Sequence, residues 1–420
     1  MTASPGFQAP RLPRPLAALN GAWKAVGRAG LAQPSLTEAS LIAAARRSAG
    51  LDDLGADFAA PATREALRRL LWSLENEAEL HPLGRAILRS SLVRTLVNRL
   101  RLEQVENLHP EIEAISVTAP VFIVGLPRTG TTLLHRLLSC DPKLRPLISW
   151  EATNPLPFPG PARSDGRDPR MRLAERAERG LRYVAPEFFA IHPVEAHAPE
   201  EDVLILDGSF MSPTVDATLP VPEYSEWIAA LDQRYAYRYF RRMLKILSWQ
   251  RRGRYLGKTP HHLENLDALV DVFPDAKIIQ THRDPLQVVA SFCSMMAHAR
   301  GIFSDKVDPR AVGAQLSAKS VRGVTRSIES RERLGPERFR DVAYTDLVAD
   351  PMKEIRRIYD FIGEELVAET ERTMQAWRQQ NAQNRHGVHR YRLVDFGLER
   401  DRLAAQFSPY CSRFAVETAR

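Results

Sequence analysis

Between residues 83 and 108 apolar side chains recur at helical spacing, with Leu88, Leu92, Leu96 and Leu100 separated by arginines, and residues 63–74 repeat the pattern. This spacing predicts an α-helical N-terminal region over residues 21–117. A flexible arm over residues 1–20 is expected to precede it, because Pro5, Pro10, Pro13 and Pro15 oppose a helix there. At Pro120 the period changes. The short apolar run at 121–124 lies between Pro120 and Gly125, which reads as a buried parallel strand rather than a helix. Three more strands are predicted at 254–257, 276–282 and 339–344, with helices at 131–139, 262–272 and 351–361. A Pro-, Asp- and Arg-rich excursion opens at residue 153, and helical segments follow it to about residue 250.

At 420 residues, 44% hydrophobic and 26% charged, the chain has the composition of an ordinary soluble globular protein. The longest apolar run, residues 115–127, is too short to span a bilayer, and the N-terminus lacks the apolar core of a secretory signal, so a cytoplasmic location is expected. The formal charge of +7 comes from 8 lysines and 50 arginines against 51 acidic residues. A skew this uniform reflects composition rather than a nucleic-acid interface, although it would still steer anions. Cys140, Cys293 and Cys411 lie far apart without metal-ligand spacing, which signals neither a disulfide framework nor a zinc site.

The most informative stretch is Gly125-Leu-Pro-Arg-Thr-Gly-Thr-Thr132, placed after a strand and opening a helix. In a nucleotide-hydrolysing P-loop the backbone amides cradle phosphates, a lysine reaches the β- and γ-phosphates, and the next hydroxyl binds Mg²⁺. Here both glycines keep their spacing while Thr131 stands in the lysine position. Such a loop still binds an anion through its amides and the helix N-terminus, and it suits a nucleotide whose reacting group is not a magnesium-bound triphosphate. Strand, loop and helix predict an α/β, P-loop NTPase-like three-layer fold around a central parallel sheet, with the helical N-terminal region and a helical insertion at about 153–250. Farther on, Arg283 ends a strand and Ser291 follows eight residues later; a guanidinium fork and a hydroxyl near a helix start both suit a phosphate. Arg283 as a surface partner of Asp284 is the alternative.

These residues resemble the P-loop sulfotransferase family, in particular the branch containing the tyrosylprotein sulfotransferases and many bacterial relatives. Pro127-Arg-Thr-Gly-Thr-Thr132 matches the family's phosphosulfate loop at every position. The resemblance covers roughly residues 118–400 and implies a sulfotransferase P-loop domain over residues 118–420. It implies 3′-phosphoadenylyl sulfate (PAPS) as co-substrate, no required metal, and a hydroxyl acceptor that receives the sulfuryl group by in-line transfer with a general base. It places Arg128, Thr129, Gly130, Thr131 and Thr132 on the 5′-phosphosulfate, and Arg283 and Ser291 on the 3′-phosphate. Tyr344, in the Tyr-Thr-Asp-Leu-Val-Ala-Asp-Pro segment, would approach the nucleotide, and His389 and Arg390 in the basic run 385–391 would close over it. Lys258 would face the transferred group.

For the acceptor base, the resemblance implies Glu151, which follows the loop helix by about a dozen residues, with His261 and then His262 as runners-up beside Lys258. The acceptor stays open among small molecules, lipids, carbohydrates, phenols and peptides, as does the oligomeric state. Tyr224, Trp227, Tyr235, Tyr237 and Tyr239 are placed either around an aromatic acceptor or in the core. Two rival readings are a kinase or nucleotide phosphotransferase on the same scaffold, against which Thr131 counts, and a non-enzymatic module meeting anionic lipid. In either case the Pro/Arg arm is a candidate for peripheral membrane contact.

Overall fold

The structure is a computed structural model that describes residues 10, 12–28, 33–51, 55–159, 166–381 and 391–418. Five parallel strands form one sheet in the order β2-β3-β1-β4-β5, where β1 is Val121–Gly125, β2 Leu144–Pro146, β3 Arg254–Lys258, β4 Lys277–His282 and β5 Phe339–Ala343. Every residue of β1 is buried, the signature of a parallel strand covered on both faces. Val121 and Ile123 pack with the helices Thr131–Leu138 and Pro351–Ile362 on one side. Phe122 and Val124 point the other way, into a core shared with the helices Arg234–Gln250 and Pro285–Arg300. Leu67, Leu70, Leu92 and Leu96 of the N-terminal helices Pro61–Asn76 and Pro82–Leu108 join that second core, so the helical region is built onto the sheet's own packing.

The layers and the strands expected at 121–124, 254–257, 276–282 and 339–344 are present, and the differences have local causes. A helix spans Arg14–Arg28, so residues 14–20 of the stretch expected to be a flexible arm are helical. Pro15 sits in its first turn, where a missing N–H has no intrahelical partner to lose. The edge strand β2 gave no pattern because it is three residues long and contains Arg145 and Pro146; its register with β3 pairs Leu144 with Arg254 and Pro146 with Leu256. The helix expected over 262–272 is divided at Asn265 into a 3₁₀ turn, Pro260–Glu264, and a helix, Leu266–Val272. Within the insertion, Tyr224, Tyr237 and Tyr239 are buried in the core, with Trp227 and Tyr235 packed against it, and none of the five lines the large cavity above the sheet.

Candidate active site

Among the described residues, most of the chemistry singled out in the sequence gathers at the C-terminal ends of the strands; Glu151 does not. Chain order runs outward from β1 to β3 on one side and to β4 on the other, and such a switch point opens a crevice above the sheet. The loop after β1 is shaped by backbone that side chains would obstruct. Gly125 has φ of 145°, and a Cβ there would lie 2.5 Å from Thr281 Oγ1 and 2.8 Å from its carbonyl oxygen. Gly130, at φ of 92°, caps the helix Thr131–Leu138, and a Cβ there would meet the Tyr344 ring at 3.0 Å. Arg128 between them also has positive φ, 69°, a conformation that costs a non-glycine residue about 1 kcal/mol or more. Thr129 holds the loop in place: its hydroxyl donates to the Leu126 carbonyl at 2.6 Å and lies 2.6 Å from Thr281 Oγ1 on β4. Its side chain is therefore committed to the scaffold, and only its backbone is left for a ligand.

Beyond β4, Arg283 stacks on Tyr344 with its guanidinium 4.2 Å from the ring centroid and donates to the Arg128 carbonyl at 2.9 Å and Gln287 Oε1 at 3.1 Å. Asp284 accepts from the Leu286 amide and caps the helix Pro285–Arg300. Ser291, on that helix, accepts from Arg128 Nε at 3.2 Å. Loop, Arg283, Ser291 and Tyr344 thus form one cluster, joined through Arg128. His389 and Arg390 lie outside the described residues.

The cluster opens into a cavity of about 1200 Å³, larger than the roughly 300–1,000 Å³ of common ligand pockets, with room for a nucleotide and a second molecule. Arg128, Gly130, Thr131, Thr132, Lys258, His261, Arg283 and Tyr344 line it. One arm is apolar, walled by Phe188, Ile191, Leu263, Phe292, Met295 and Met296. Lys258, at the end of β3 and almost fully buried, donates to Glu201 Oε1 at 2.6 Å, and the Thr259 hydroxyl donates to Glu201 Oε2 at 3.2 Å. Burial alone would raise the Glu201 carboxyl, but the Lys258 charge, His192 and these two hydrogen bonds outweigh it and hold the group below its ordinary value. Its neighbour Glu200 is pushed up by burial. His192 on the same wall is pulled down to about 4, also chiefly by burial. His261 is likewise well below its ordinary value through burial and the charge of Lys319, and its Nδ1 is buried without a partner. Two adjacent carboxyls with opposite shifts beside a lysine are an arrangement that accepts and holds protons.

The structure does not bring Glu151 into this cavity. Its carboxylate is buried against the fully buried Arg145 at 2.9 Å, approaches Arg251 at 3.4 Å and accepts from the Ile148 amide at 3.1 Å. It neutralises an inward arginine and caps the helix Ser149–Thr153. His262, the other runner-up, is fully buried: its Nδ1 lies 2.7 Å from the Tyr237 hydroxyl and its Nε2 3.0 Å from Asp202 Oδ2. Glu201 was missed because the run Glu200-Glu-Asp202 carries no spacing that ties it to Lys258, 57 residues away.

Residues 120–370 match the sulfotransferase family, and the chain belongs to it. Two solved structures extend the likeness over nearly the whole chain. The sulfotransferase STF1 from Mycobacterium tuberculosis H37Rv is 32% identical, with a TM-score of 0.79 over 90% of this chain and 100% of that one. STF9 from Mycobacterium avium is 29% identical, with a TM-score of 0.82 over 91% and 98%. Among curated proteins, the omega-hydroxy-beta-dihydromenaquinone-9 sulfotransferase Stf3 of Mycobacterium tuberculosis (strain CDC 1551 / Oshkosh) is 27% identical over 268 residues, 60% of this chain but only 64% of that relative's length.

Proposed function

We propose that the protein transfers the sulfuryl group of PAPS to a hydroxyl of a lipophilic small-molecule acceptor. The observation that carries this reading is the lysine-free phosphate loop lining the same cavity as the Lys258–Glu201 pair, together with an apolar group of side chains. The residues fit the nucleotide. Loop amides and the N-terminus of the helix Thr131–Leu138 meet a 5′-phosphate, and Gly130 keeps the turn before that helix clear of Tyr344 and Leu347, which a Cβ there would meet. Arg283, held flat on Tyr344, and Ser291, reached through Arg128, meet the 3′-phosphate. When bound, PAPS supplies the activated sulfuryl group.

Sulfuryl transfer then asks for position, neutralisation of the departing phosphate and a proton acceptor. Lys258 supplies the compact positive charge for the departing oxygen. As its ammonium turns toward that oxygen, Glu201 loses the charge that keeps its proton affinity low, while burial, which raises it, remains. Glu201 thereby becomes a stronger base as the acceptor hydroxyl must release its proton. The apolar arm supports a lipophilic acceptor, in keeping with the quinone-derived acceptor in the name of the relative Stf3. The test is incubation with sulfur-labelled PAPS and a set of hydroxylated prenyl quinones, alkanols and sugars, with and without Mg²⁺. Metal-independent label transfer to the lipophilic alcohols is expected. Turnover that requires Mg·ATP, or label carried only by sugars, would overturn the reading.

A further inference from the structure

Asp202 occupies the cap position of the short helix Val203–Leu206, where an aspartate ordinarily accepts from the first helix amides, yet its side chain makes no such bond. The carboxylate is fully buried and serves β3 instead. Its Oδ1 accepts from the hydroxyl of Tyr255 on that strand, and its Oδ2 lies 3.0 Å from His262 Nε2. A carboxylate only accepts, so Nε2 carries the hydrogen, and Nδ1 on the other side of the ring meets the Tyr237 hydroxyl at 2.7 Å. Phe122, Tyr237 and Phe240 pack on His262 with ring centroids 5.2, 5.5 and 6.0 Å away. The strand leaves space for the carboxylate at Gly257, where a Cβ would collide with Asp202 Oδ2 and lie 2.7 Å from Phe122. The backbone is tied as well: the Asp202 amide donates to the Lys258 carbonyl at 3.0 Å, and the Glu200 amide donates to the Leu147 carbonyl at 2.8 Å. Glu201 stands between these two anchors, and its carboxylate accepts from Lys258 and Thr259.

We propose that Asp202 is a positioning residue for the reaction: anchored on Tyr255 and His262, it fixes the turn Glu200–Asp202 to the end of β3 and so sets Glu201 against Lys258. The inference rests on the proposed roles of that pair as proton acceptor and charge neutraliser. Asp202 is itself fully buried and is not among the cavity's lining residues. Its part is to take freedom from the segment that carries the base, where a misplacement of about 1 Å costs on the order of 100-fold in rate. Glu201 then keeps the surroundings that set its proton affinity: Lys258, Thr259 and His192, which lower it, and the neighbouring carboxyl of Glu200.

Asp202→Ala, Asp202→Asn and Tyr255→Phe are compared with wild type in sulfur-label transfer from PAPS to a lipophilic alcohol. Turnover is divided by the number of nucleotide sites that calorimetry with adenosine 3′,5′-bisphosphate counts, so that unfolded protein does not enter. Asp202→Ala should lower kcat per site by about 10- to 100-fold and leave the nucleotide Kd within about twofold. The acid limb of its kcat–pH profile should move to higher pH, because Glu201 freed from Lys258 keeps the burial that raises it and loses the charge that lowers it. Asp202→Asn keeps an acceptor for Tyr255 and offers an N–H to His262 in its other tautomer, so most of the rate should return. Tyr255→Phe removes one hydroxyl and should show the same changes on a smaller scale, which tests the inference even where Asp202→Ala does not fold. Wild-type kcat per site with an unmoved acid limb in Asp202→Ala and Tyr255→Phe would overturn the inference, as would a nucleotide Kd weakened as much as kcat, or an Asp202→Asn variant no better than the alanine one. Glu201→Gln, run alongside, separates the two readings. An inactive Glu201→Gln beside fully active Asp202 variants removes the positioning role and leaves the base, whereas full turnover of Glu201→Gln removes the base and this inference with it.

Discussion

Two glutamates separated by fifty positions illustrate how a side chain's surroundings assign its role. Both Glu151 and Glu201 are paired with a basic residue, but Glu201 and its partner Lys258 line the cavity, whereas Glu151 faces Arg145 inside the protein. Glu201→Gln keeps the shape and removes the base, so kcat should fall by roughly 10²- to 10⁴-fold with nucleotide affinity little changed. Steady-state kinetics together with calorimetry of nucleotide binding separate these effects. Near-normal turnover of that variant beside an inactive His261→Ala would transfer the role to the histidine, which also lines the cavity. Arg283 makes a second prediction. Arg283→Ala removes a charge-assisted contact, so affinity for adenosine 3′,5′-bisphosphate should drop by about 10- to 150-fold, while adenosine 5′-monophosphate should bind as before. Equal losses for both nucleotides would reduce Arg283 to a support for Tyr344 and the loop.

At the scale of elements, the strand ends and the short helices around them behave as a frame. The edge strand β2 and the helix Ser149–Thr153 are held by the Arg145–Glu151 pair, and Arg145 also donates to the Leu247 carbonyl at 3.2 Å on the long helix Arg234–Gln250. Removing one member of a buried pair leaves an uncompensated charge, a loss of about 3–5 kcal/mol. Glu151→Gln should therefore lower the denaturant midpoint markedly, while folded protein keeps its kcat. Replacing both partners with apolar residues, Arg145→Met with Glu151→Leu, should recover much of the stability, since the desolvation cost disappears with the charges. A kcat defect in the stable double variant would restore Glu151 to the reaction.

Across the whole molecule, burial leaves several histidines neutral. His135 is pulled down to about 3 and His192 to about 4, chiefly by burial, and His81, His261 and His282 are also lowered with burial as the leading cause. A group whose pKa is depressed on folding stabilises the fold fully above its unfolded value and loses that contribution as pH falls toward the folded value. For these histidines the loss begins near their ordinary value of about 6.5 and continues to about 4. Asp207, raised to about 6 by burial, and Glu200, raised for the same reason, act in the opposite direction. The five histidines outnumber these two carboxyls, so the unfolded chain takes up more protons, and the thermal midpoint should decline steadily from pH 7 to pH 4. A midpoint that holds level or rises across that range would contradict the assignment of these histidines as neutral in the fold.

The sequence alone determined the features written in short runs. The β-branched strand at 121–124, the glycine spacing of the loop with Thr131 in place of lysine, Arg283 at a strand end and Lys258 at the end of β3 were all legible, because each depends on a few neighbouring residues and on backbone rules that hold in any fold. The tertiary structure decided which side chains face one another. It set Glu201 against Lys258 from 57 residues away, turned Glu151 inward onto Arg145, sent Tyr224, Tyr237 and Tyr239 into the core and placed Phe188 and Ile191 on the cavity wall. The reason is physical: a carboxylate's role depends on the charge and burial it meets, and both are supplied by elements distant in the chain that the parallel sheet brings to a single edge.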